Sequence, residues 1–265
     1  MLDIGFHQAA GLHSFTPQAD LRVVAVASQG NSPTGLEALW QICASLQRLG
    51  YPVVVLDGTA HETDHSPGLL HLLQQASWRD DVQLNLGASS ASLAVIPAAQ
   101  GMLRMCRAAE RSDAPPLHGL LPYFRTYGIV VLHAPAATLG PLLTHTATVP
   151  LVVMGEGAAG VMGSYKSLKQ IAVDTGLPCM VAALLRGTGA AERRKTQAAL
   201  HTLQGCVQRH LGSALSTTTI ATQNPQELQR LALQLLENAG TIAESLPALH
   251  SYAPKGSSAH LVRSH

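Results

Sequence analysis

Residues 21–57 restrict the fold of this chain more than any other segment, because two apolar runs enclose a small-residue loop and a helix. The runs at 21–27 and 52–57 predict buried strands, residues 28–35 predict the loop, and residues 36–49 predict the helix. A loop that leads from a buried strand into a helix N-terminus is typical of phosphate-binding units. The segment therefore predicts an α/β fold with the frame of a nucleotide hydrolase.

The loop lacks the side chain that a working phosphate-binding loop needs. Such a loop ends near a lysine whose ammonium group neutralises the β- and γ-phosphates, while backbone N–H groups converge on the same oxygens. Pro33 stands at the lysine's place, and proline supplies neither the charge nor an N–H donor. The frame thus predicts a hydrolase fold, and the loop residues predict poor hydrolysis.

Apolar strands and helices continue to alternate along the rest of the chain, and no internal repeat is visible. Further strands are predicted at 93–97, 128–134, 151–155, 179–185 and 214–220, with helices at 68–76, 100–111, 158–175 and 190–210. Near-continuous apolar strands separated by helices predict a mostly parallel sheet covered by helices on both faces. We expect an arm at 1–20, one α/β domain at 21–240 and a disordered tail at 241–265.

One more helix is predicted near the end of the domain. Asn224 has the position of an N-cap, Pro225 that of the first helical residue, and Glu227 that of the partner in a capping box. The helix has an apolar stripe formed by Leu228, Leu231, Ala232 and Leu235. The stripe fits packing on the sheet better than membrane contact, because Arg230 is the helix's only basic residue.

Composition limits the classes of partner and the compartment. Only 12% of the residues are charged, the net charge is +1 and no basic run occurs, so direct binding to nucleic acid is not expected. A weakly charged surface suggests contacts with other proteins. The cysteines are widely spaced in apolar segments, which predicts reduced core thiols; they are Cys43, Cys106, Cys179 and Cys206. With no membrane-spanning run and no basic, apolar leader, we expect a cytoplasmic protein with at most peripheral membrane contact.

Four segments carry motifs: residues 7–12 (HQAAGL), 28–35 (SQGNSPTG), 93–103 (LAVIPAAQGML) and 127–140 (YGIVVLHAPAATLG). Together they resemble the MinD/ParA class of P-loop ATPases, and in particular its flagellar regulators of the FlhG (FleN) group. Residues 7–12 are similar to the DQAxxL motif of that group, and residues 28–35 to the class's KGGxGKTT loop. Residues 93–103 are similar to its strand ending in IPA, and 127–140 to its Walker B strand. The resemblance covers nearly the whole chain and implies the MinD/ParA-like P-loop NTPase fold.

The resemblance also implies where nucleotide would bind and which contacts have changed. Ser28 stands where the class has a lysine that reaches the partner's nucleotide, and Gly30 is in the phosphate-binding turn. Thr34 matches the hydroxyl that binds Mg²⁺, Asp57 matches the aspartate after the second strand, Thr59 replaces the next aspartate, and His133 replaces the Walker B aspartate. Because Mg²⁺ prefers oxygen ligands and phosphoryl transfer depends on positioned charge, we expect a pseudo-ATPase with no required cofactor beyond weak ATP or ADP with Mg²⁺.

The implied role is control of flagellar number or placement through partner binding, with recruitment to the cell pole or the inner-membrane surface. In the FlhG group the N-terminal motif contacts the GTPase FlhF and stimulates it, which assigns partner binding to His7, Gln8, Ala9 and Leu12. A homodimer or a heterodimer with an intact paralogue is compatible with the sequence. The alternatives are an accessory protein of another envelope machine such as cellulose secretion, an ATPase that uses Thr34, Asp57 and His133, and an arm without a role.

Two further motifs suggest enzyme sites. Residues 61–65 spell HExxH, which on a helix would bind zinc, but the flanking Gly58 and Pro67 predict a solvated loop. Gly155, Gly157 and Gly160 form GxGxxG between a strand and a helix, which suggests an NAD(P) site. That motif follows the fifth predicted strand and not the first, and no acidic residue that could bind a ribose hydroxyl ends the next strand, at 179–185. We therefore expect that these glycines allow close packing of the helix on the strand.

Overall fold

The structure is a computed structural model that describes residues 20–29, 33–75, 93–111, 115–185, 187 and 189–243. The N-terminal half contains strands β1 (Asp20–Ser28), β2 (Val53–Asp57), β3 (Leu93–Pro97) and β4 (Ile129–Pro135), with helices α1 (Pro33–Arg48), α2 (Leu69–Gln75), α3 (Ala99–Ala109) and α4 (Leu121–Phe124). The C-terminal half contains β5 (Leu151–Met154), β6 (Met180–Leu185), β7 (Ser216–Ala221) and β8 (Gly240–Ala243), with α5 (Ala136–Leu143), α6 (Gly157–Thr175), α7 (Ala190–Leu211) and α8 (Pro225–Glu237). A 3₁₀ turn at Pro116–Leu120 precedes α4.

These strands form one sheet in the order β3-β2-β4-β1-β5-β6-β7, and all neighbours in that order are parallel. β8 runs antiparallel to β1, with Gly240 opposite Val23 and Ala243 opposite Asp20. Parallel strands place their carboxyl ends on one edge of the sheet, where the loop after β1 lies. The predicted fold class, a mostly parallel sheet flanked by helices on both faces, is confirmed.

Alternate residues of the strands point to opposite faces of the sheet and pack in two hydrophobic layers. On one face Val24 and Val26 of β1 pack with α1 and α8, and on the other face Leu21 and Val23 pack with helices α2 to α7. The sheet is therefore apolar on both sides, as its near-continuous apolar strands predict. Both layers fix the carboxyl ends of β1, β2 and β4 in place.

The C-terminal helix α8 belongs to the domain core. The four residues of its predicted stripe are buried against α1 and the sheet, so packing is the correct interpretation. Asn224 caps the helix by accepting a hydrogen bond from the Gln226 N–H at 3.1 Å. The capping box is wrong in detail, because the Asn224 N–H already donates to the Ala221 carbonyl and the Glu227 carboxylate instead accepts from the Ala221 N–H at 2.7 Å.

Four of the described elements are absent from the sequence-based prediction. They are the 3₁₀ turn, α4, α5 and β8. α5 contains Pro141, a residue that usually ends a helix, yet its apolar side chains are buried. β8 places residues 241–243 in the sheet, so the domain extends past the expected boundary at 240, while residues 1–19 and 244–265 lie outside the described part.

The cysteines are unpaired thiols, as the sequence predicts. All four thiols are free, and Cys43, Cys106 and Cys179 are buried. Burial raises the pKa of the Cys43 and Cys179 thiols to about 12, which keeps them protonated and unreactive. Within the described residues, no helix combines the length and the apolar character needed to cross a membrane.

Candidate functional site

Three of the predicted site residues meet at the carboxyl edge of the sheet. His133 of β4 lies opposite Asp57 of β2 on one side and opposite Val26 of β1 on the other. Ser28 follows Val26 by two residues and therefore lies on the same face of the sheet. Asp57, His133 and Ser28 thus follow one another across three adjacent strands, where the sequence places a nucleotide site.

The Asp57 carboxylate is held by protein groups. Its Oδ1 accepts hydrogen bonds from the Thr59 backbone N–H at 2.9 Å and the Thr59 hydroxyl at 2.7 Å. The Nδ1 of His133 lies 3.1 Å from the same oxygen, and the two side chains are only 5% and 19% exposed. Burial raises the pKa of the Asp57 carboxyl, but the hydrogen bonds from His133 and Thr59 outweigh burial and leave the pKa below its ordinary value. Asp57 is therefore an anion, and its Oδ1 is hydrogen-bonded within the protein.

The loop after β1 is tied to helix α6. The Gln29 side-chain amide donates to the hydroxyl of Ser164 at 2.9 Å, and Ser164 is fully buried. The residues around the end of β1, among them Ser28, Gln29 and His133, line a cavity of only ≈ 10 Å³, the space of about one water molecule. Pro33 begins α1, whereas Gly30 and the side chains of Pro33 and Thr34 lie outside what the structure describes.

The described side chains at this edge include the Asp57 carboxylate and the His133 imidazole. No lysine or arginine is among the residues that line the small cavity. The imidazole nitrogens of His133 suit Mg²⁺ poorly, because this hard ion prefers oxygen ligands. Over the described ranges, no group of three or more histidine, cysteine or acidic side chains could hold a metal ion.

The HExxH segment is a loop, as expected, but it is not wholly solvated. His61 and His65 are exposed, and neither belongs to a group of three or more metal-ligating side chains among the described residues. Glu62 is buried at 5% exposure, and its carboxylate accepts hydrogen bonds from the backbone N–H groups of Gln100 and Gly101, both at 2.8 Å, and of Leu70 at 3.3 Å. No pattern in the sequence indicated that this carboxylate is buried.

Glu62 joins two helix N-termini. Leu70 is in the first turn of α2, and Gln100 and Gly101 are in the first turn of α3, where unpaired N–H groups favour an anion. Burial raises the pKa of the Glu62 carboxyl, yet the backbone hydrogen bonds outweigh burial, so the pKa lies below its ordinary value. The loop 57–62 is therefore held by hydrogen bonds at both ends, to Asp57 and to Glu62. The Glu62 carboxylate in this way helps to position the loop that follows Asp57.

The glycines of the GxGxxG segment serve packing. A Cβ on Gly160 would clash with the carbonyl oxygen of Gly155, so α6 can start close to β5 only with glycine there. Gly157 has φ +67°, in the left-handed region that favours glycine. The cavity beside them encloses ≈ 160 Å³, and its charged lining residues are Glu156, Glu192 and Lys195. This volume is smaller than the usual ~300 Å³ or more of a cofactor pocket. This geometry favours close packing over an NAD(P) site.

Comparisons with known proteins find similarity only among solved structures. No family model matches the chain, and no curated protein matches it. The ParA family ATPase from Chlorobium tepidum TLS has a TM-score of 0.49 at 14% identity, with 82% of this chain and 96% of that chain covered. The MinD cell division protein from Aquifex aeolicus has a TM-score of 0.47 at 13% identity, with coverage of 85% and 98%. The MinC:MinD complex of the same organism gives 0.48 at 14% identity, with coverage of 85% and 97%. Similarity at this identity does not extend to function.

The Asp57–His133 pair should contribute measurably to stability. We expect His133→Phe, which keeps a ring but removes Nδ1, to lower the free energy of unfolding at pH 7 by about 1–2 kcal/mol, because a partly buried carboxylate loses a hydrogen-bond donor. Urea unfolding measures the effect. Since the folded-state pKa of Asp57 is lowered, its contribution exists above the unfolded pKa and is lost as pH falls. The difference between the two proteins should therefore shrink in acid.

Thr59→Val is the matched comparison, because it removes one donor to the same oxygen and leaves His133 in place. Its effect should be smaller, about 1 kcal/mol or less. Equal stability of His133→Phe and the unmodified chain at pH 7 would contradict the pair's assigned role.

Proposed function

We propose that this chain is a MinD/ParA-type pseudo-ATPase that regulates the number or placement of flagella by binding partners. The hydrogen bond between His133 and Asp57 is the observation that carries the proposal, because it engages Oδ1 of a carboxylate that an active site would offer to metal and water. The sequence resemblance of residues 7–12, 28–35, 93–103 and 127–140 to the FlhG group supports the flagellar role.

The missing charges support the absence of turnover. Ser28 and Pro33 occupy the positions of two lysines in the class that the loop resembles. Phosphoryl transfer is accelerated mainly by positioned charge, so the loss of both cations removes most of the expected rate enhancement. Nucleotide, if bound, is held weakly through the Gly30 turn and the N-terminus of α1.

The proposed partner is an FlhF-like GTPase or another flagellar regulator, contacted by His7, Gln8, Ala9 and Leu12 of the arm. These four residues lie outside the described part of the chain, so their role rests on the sequence motif alone. Assembly as a homodimer or with an intact paralogue belongs to the same proposal. So does a cytoplasmic location, with recruitment to the pole or the inner-membrane surface.

A genetic experiment tests the regulatory role. We expect deletion of the gene, in a flagellated bacterium that carries it, to change the number or position of flagella seen by electron microscopy. The chain with Thr34→Ala, which removes the hydroxyl matched to Mg²⁺ binding, should restore the normal pattern because turnover is not needed. The chain without residues 1–19 should fail to restore it.

The outcomes separate the two parts of the proposal. Unchanged flagella after deletion would overturn the flagellar role and favour another envelope machine. Failure of Thr34→Ala to restore the pattern, with the protein present at normal abundance, would show that nucleotide hydrolysis is required.

A further inference from the structure

An apolar groove lies at the edge of the sheet opposite the candidate site. It runs between the C-terminal ends of α6 and α7 and encloses ≈ 280 Å³. Its apolar lining includes Leu168, Ala172, Leu177, Cys179, Val207 and Leu211. A cavity of ~150 Å³ is enough for a benzene-sized molecule, so this groove has room for two apolar side chains. Nothing in the proposed nucleotide or arm functions uses it.

The chain leaves the sheet beside this groove. Arg22 and Val23 pair with both β4 and β8, so β8 must lie on the side of β1 away from β4, which is the side of β5. β8 runs antiparallel to β1 and ends at Ala243, opposite Asp20 at the amino edge of the parallel strands. The groove lies at that same edge, next to the first residues of β6 and β7. The buried Ile242 belongs to the same hydrophobic layer as the groove residues Leu168 and Val207.

The residues that follow β8 have the length and the side chains to reach the groove. β8 occupies the same position next to β1 as β5 does, so the distance from β8 to β7 across the sheet is two strand spacings, or about 10 Å. Residues 244–249 span up to about 20 Å when extended, and residues 246–249 read Leu-Pro-Ala-Leu. The proline needs no partner for a backbone N–H, which suits a segment bound to an apolar surface without strand pairing.

We propose that residues 246–249 of the same chain occupy this groove, with Leu246 and Leu249 as the two buried side chains. The tail then covers Cys179 and the C-terminal ends of α6 and α7. It shields from solvent, at the amino edge of the sheet, the hydrophobic layer that contains Leu21, Val23 and helices α2 to α7. The occupant is intramolecular because the segment is joined to Ala243, which gives it a high effective concentration at the groove. This inference is independent of the proposed nucleotide and flagellar functions.

Binding of the dye 8-anilinonaphthalene-1-sulfonate to the full chain tests the proposal. The unmodified chain should leave the groove inaccessible, whereas Leu246→Asp with Leu249→Asp should release it and give a clear gain in dye fluorescence. Each substitution removes the burial of one leucine, which weakens docking about tenfold or more. Leu261→Asp with Val262→Asp, also in the tail, is the matched control and should leave the fluorescence unchanged.

A third substitution assigns the dye to the groove. Ala214 lines the groove and is exposed, so Ala214→Trp should fill the space without disturbing the core and should abolish the gain in the Leu246→Asp, Leu249→Asp chain. Equal dye binding by the unmodified chain and that variant would overturn the proposal. Dye exclusion that appears only as protein concentration rises would place a second copy in the groove and would also overturn it.

Discussion

Replacing Glu62 with glutamine is expected to lower the free energy of unfolding by about 3 kcal/mol at pH 7. The substitution keeps the shape of the side chain but removes the charge that three backbone N–H groups bind. It also places an amide N–H₂ group against N–H donors, so at least one of them loses its acceptor in a buried position. Helices α2 and α3 would lose the anion that joins their N-termini, and urea unfolding measures the loss.

The effect should depend on pH with a defined sign. The folded-state pKa of Glu62 is lowered, so its stabilisation is fully present above the ordinary pKa of a glutamate, near 4.3, and is lost as pH falls through the folded-state value. The Glu62→Gln chain should therefore differ most from the unmodified chain at neutral pH and least in acid. A difference that grows with acidity would contradict the assigned role.

Glu37→Gln provides the matched control for Glu62. Glu37 is exposed on α1, and its carboxylate accepts one long hydrogen bond of 3.3 Å from Gln41. Its replacement should change stability by no more than about 0.5 kcal/mol. Equal stabilities of the two variants would mean that the buried carboxylate contributes nothing beyond its shape.

Most of the fold was predictable from the sequence because hydrophobic periodicity determines it. The parallel strands have near-continuous apolar runs, and their predicted bounds differ from the observed ones by at most two residues, as at β7. Helix α5 was missed because Gly140 and Pro141 resemble a turn, although burial of neighbouring leucines stabilises the helix. β8 was missed because four residues give too short a pattern, and its pairing with β1 is a tertiary contact.

The candidate site was predictable only in its position. Strand ends and the resemblance placed Asp57 and His133 at one edge, and the structure brings them together. Their hydrogen bond joins residues 76 positions apart, so no local pattern could show it. Glu62 was missed because the histidines around it suggested zinc, whereas its real partners, Gln100 and Gly101, lie 38 and 39 positions along the chain. Long-range hydrogen bonds to backbone groups leave little trace in a sequence.

Nucleotide affinity should show the largest effect of the proposed loss of two lysine contacts to phosphate. Each lysine contact to phosphate is a charge-assisted hydrogen bond worth about 1.5–3 kcal/mol. In our proposal Ser28 and Pro33 stand at the positions of two phosphate-binding lysines, so ATP should bind about a hundredfold to ten-thousandfold more weakly than to a site that has both. The matched variant is Ser28→Lys with Pro33→Lys, which restores both cations to the same frame and should bind ATP more tightly than the unmodified chain.

We expect the proposed site at the ends of β1, β2 and β4 to bind nucleotide too weakly for ATP turnover. Isothermal titration calorimetry of the purified full chain with ATP and ADP, in the presence of Mg²⁺, measures this affinity. We predict no saturable heat up to about 1 mM nucleotide, equivalent to a binding free energy weaker than about −4 kcal/mol. Micromolar binding by the unmodified chain would overturn the proposed pseudo-ATPase, because the loop would then hold phosphate without the two lysines.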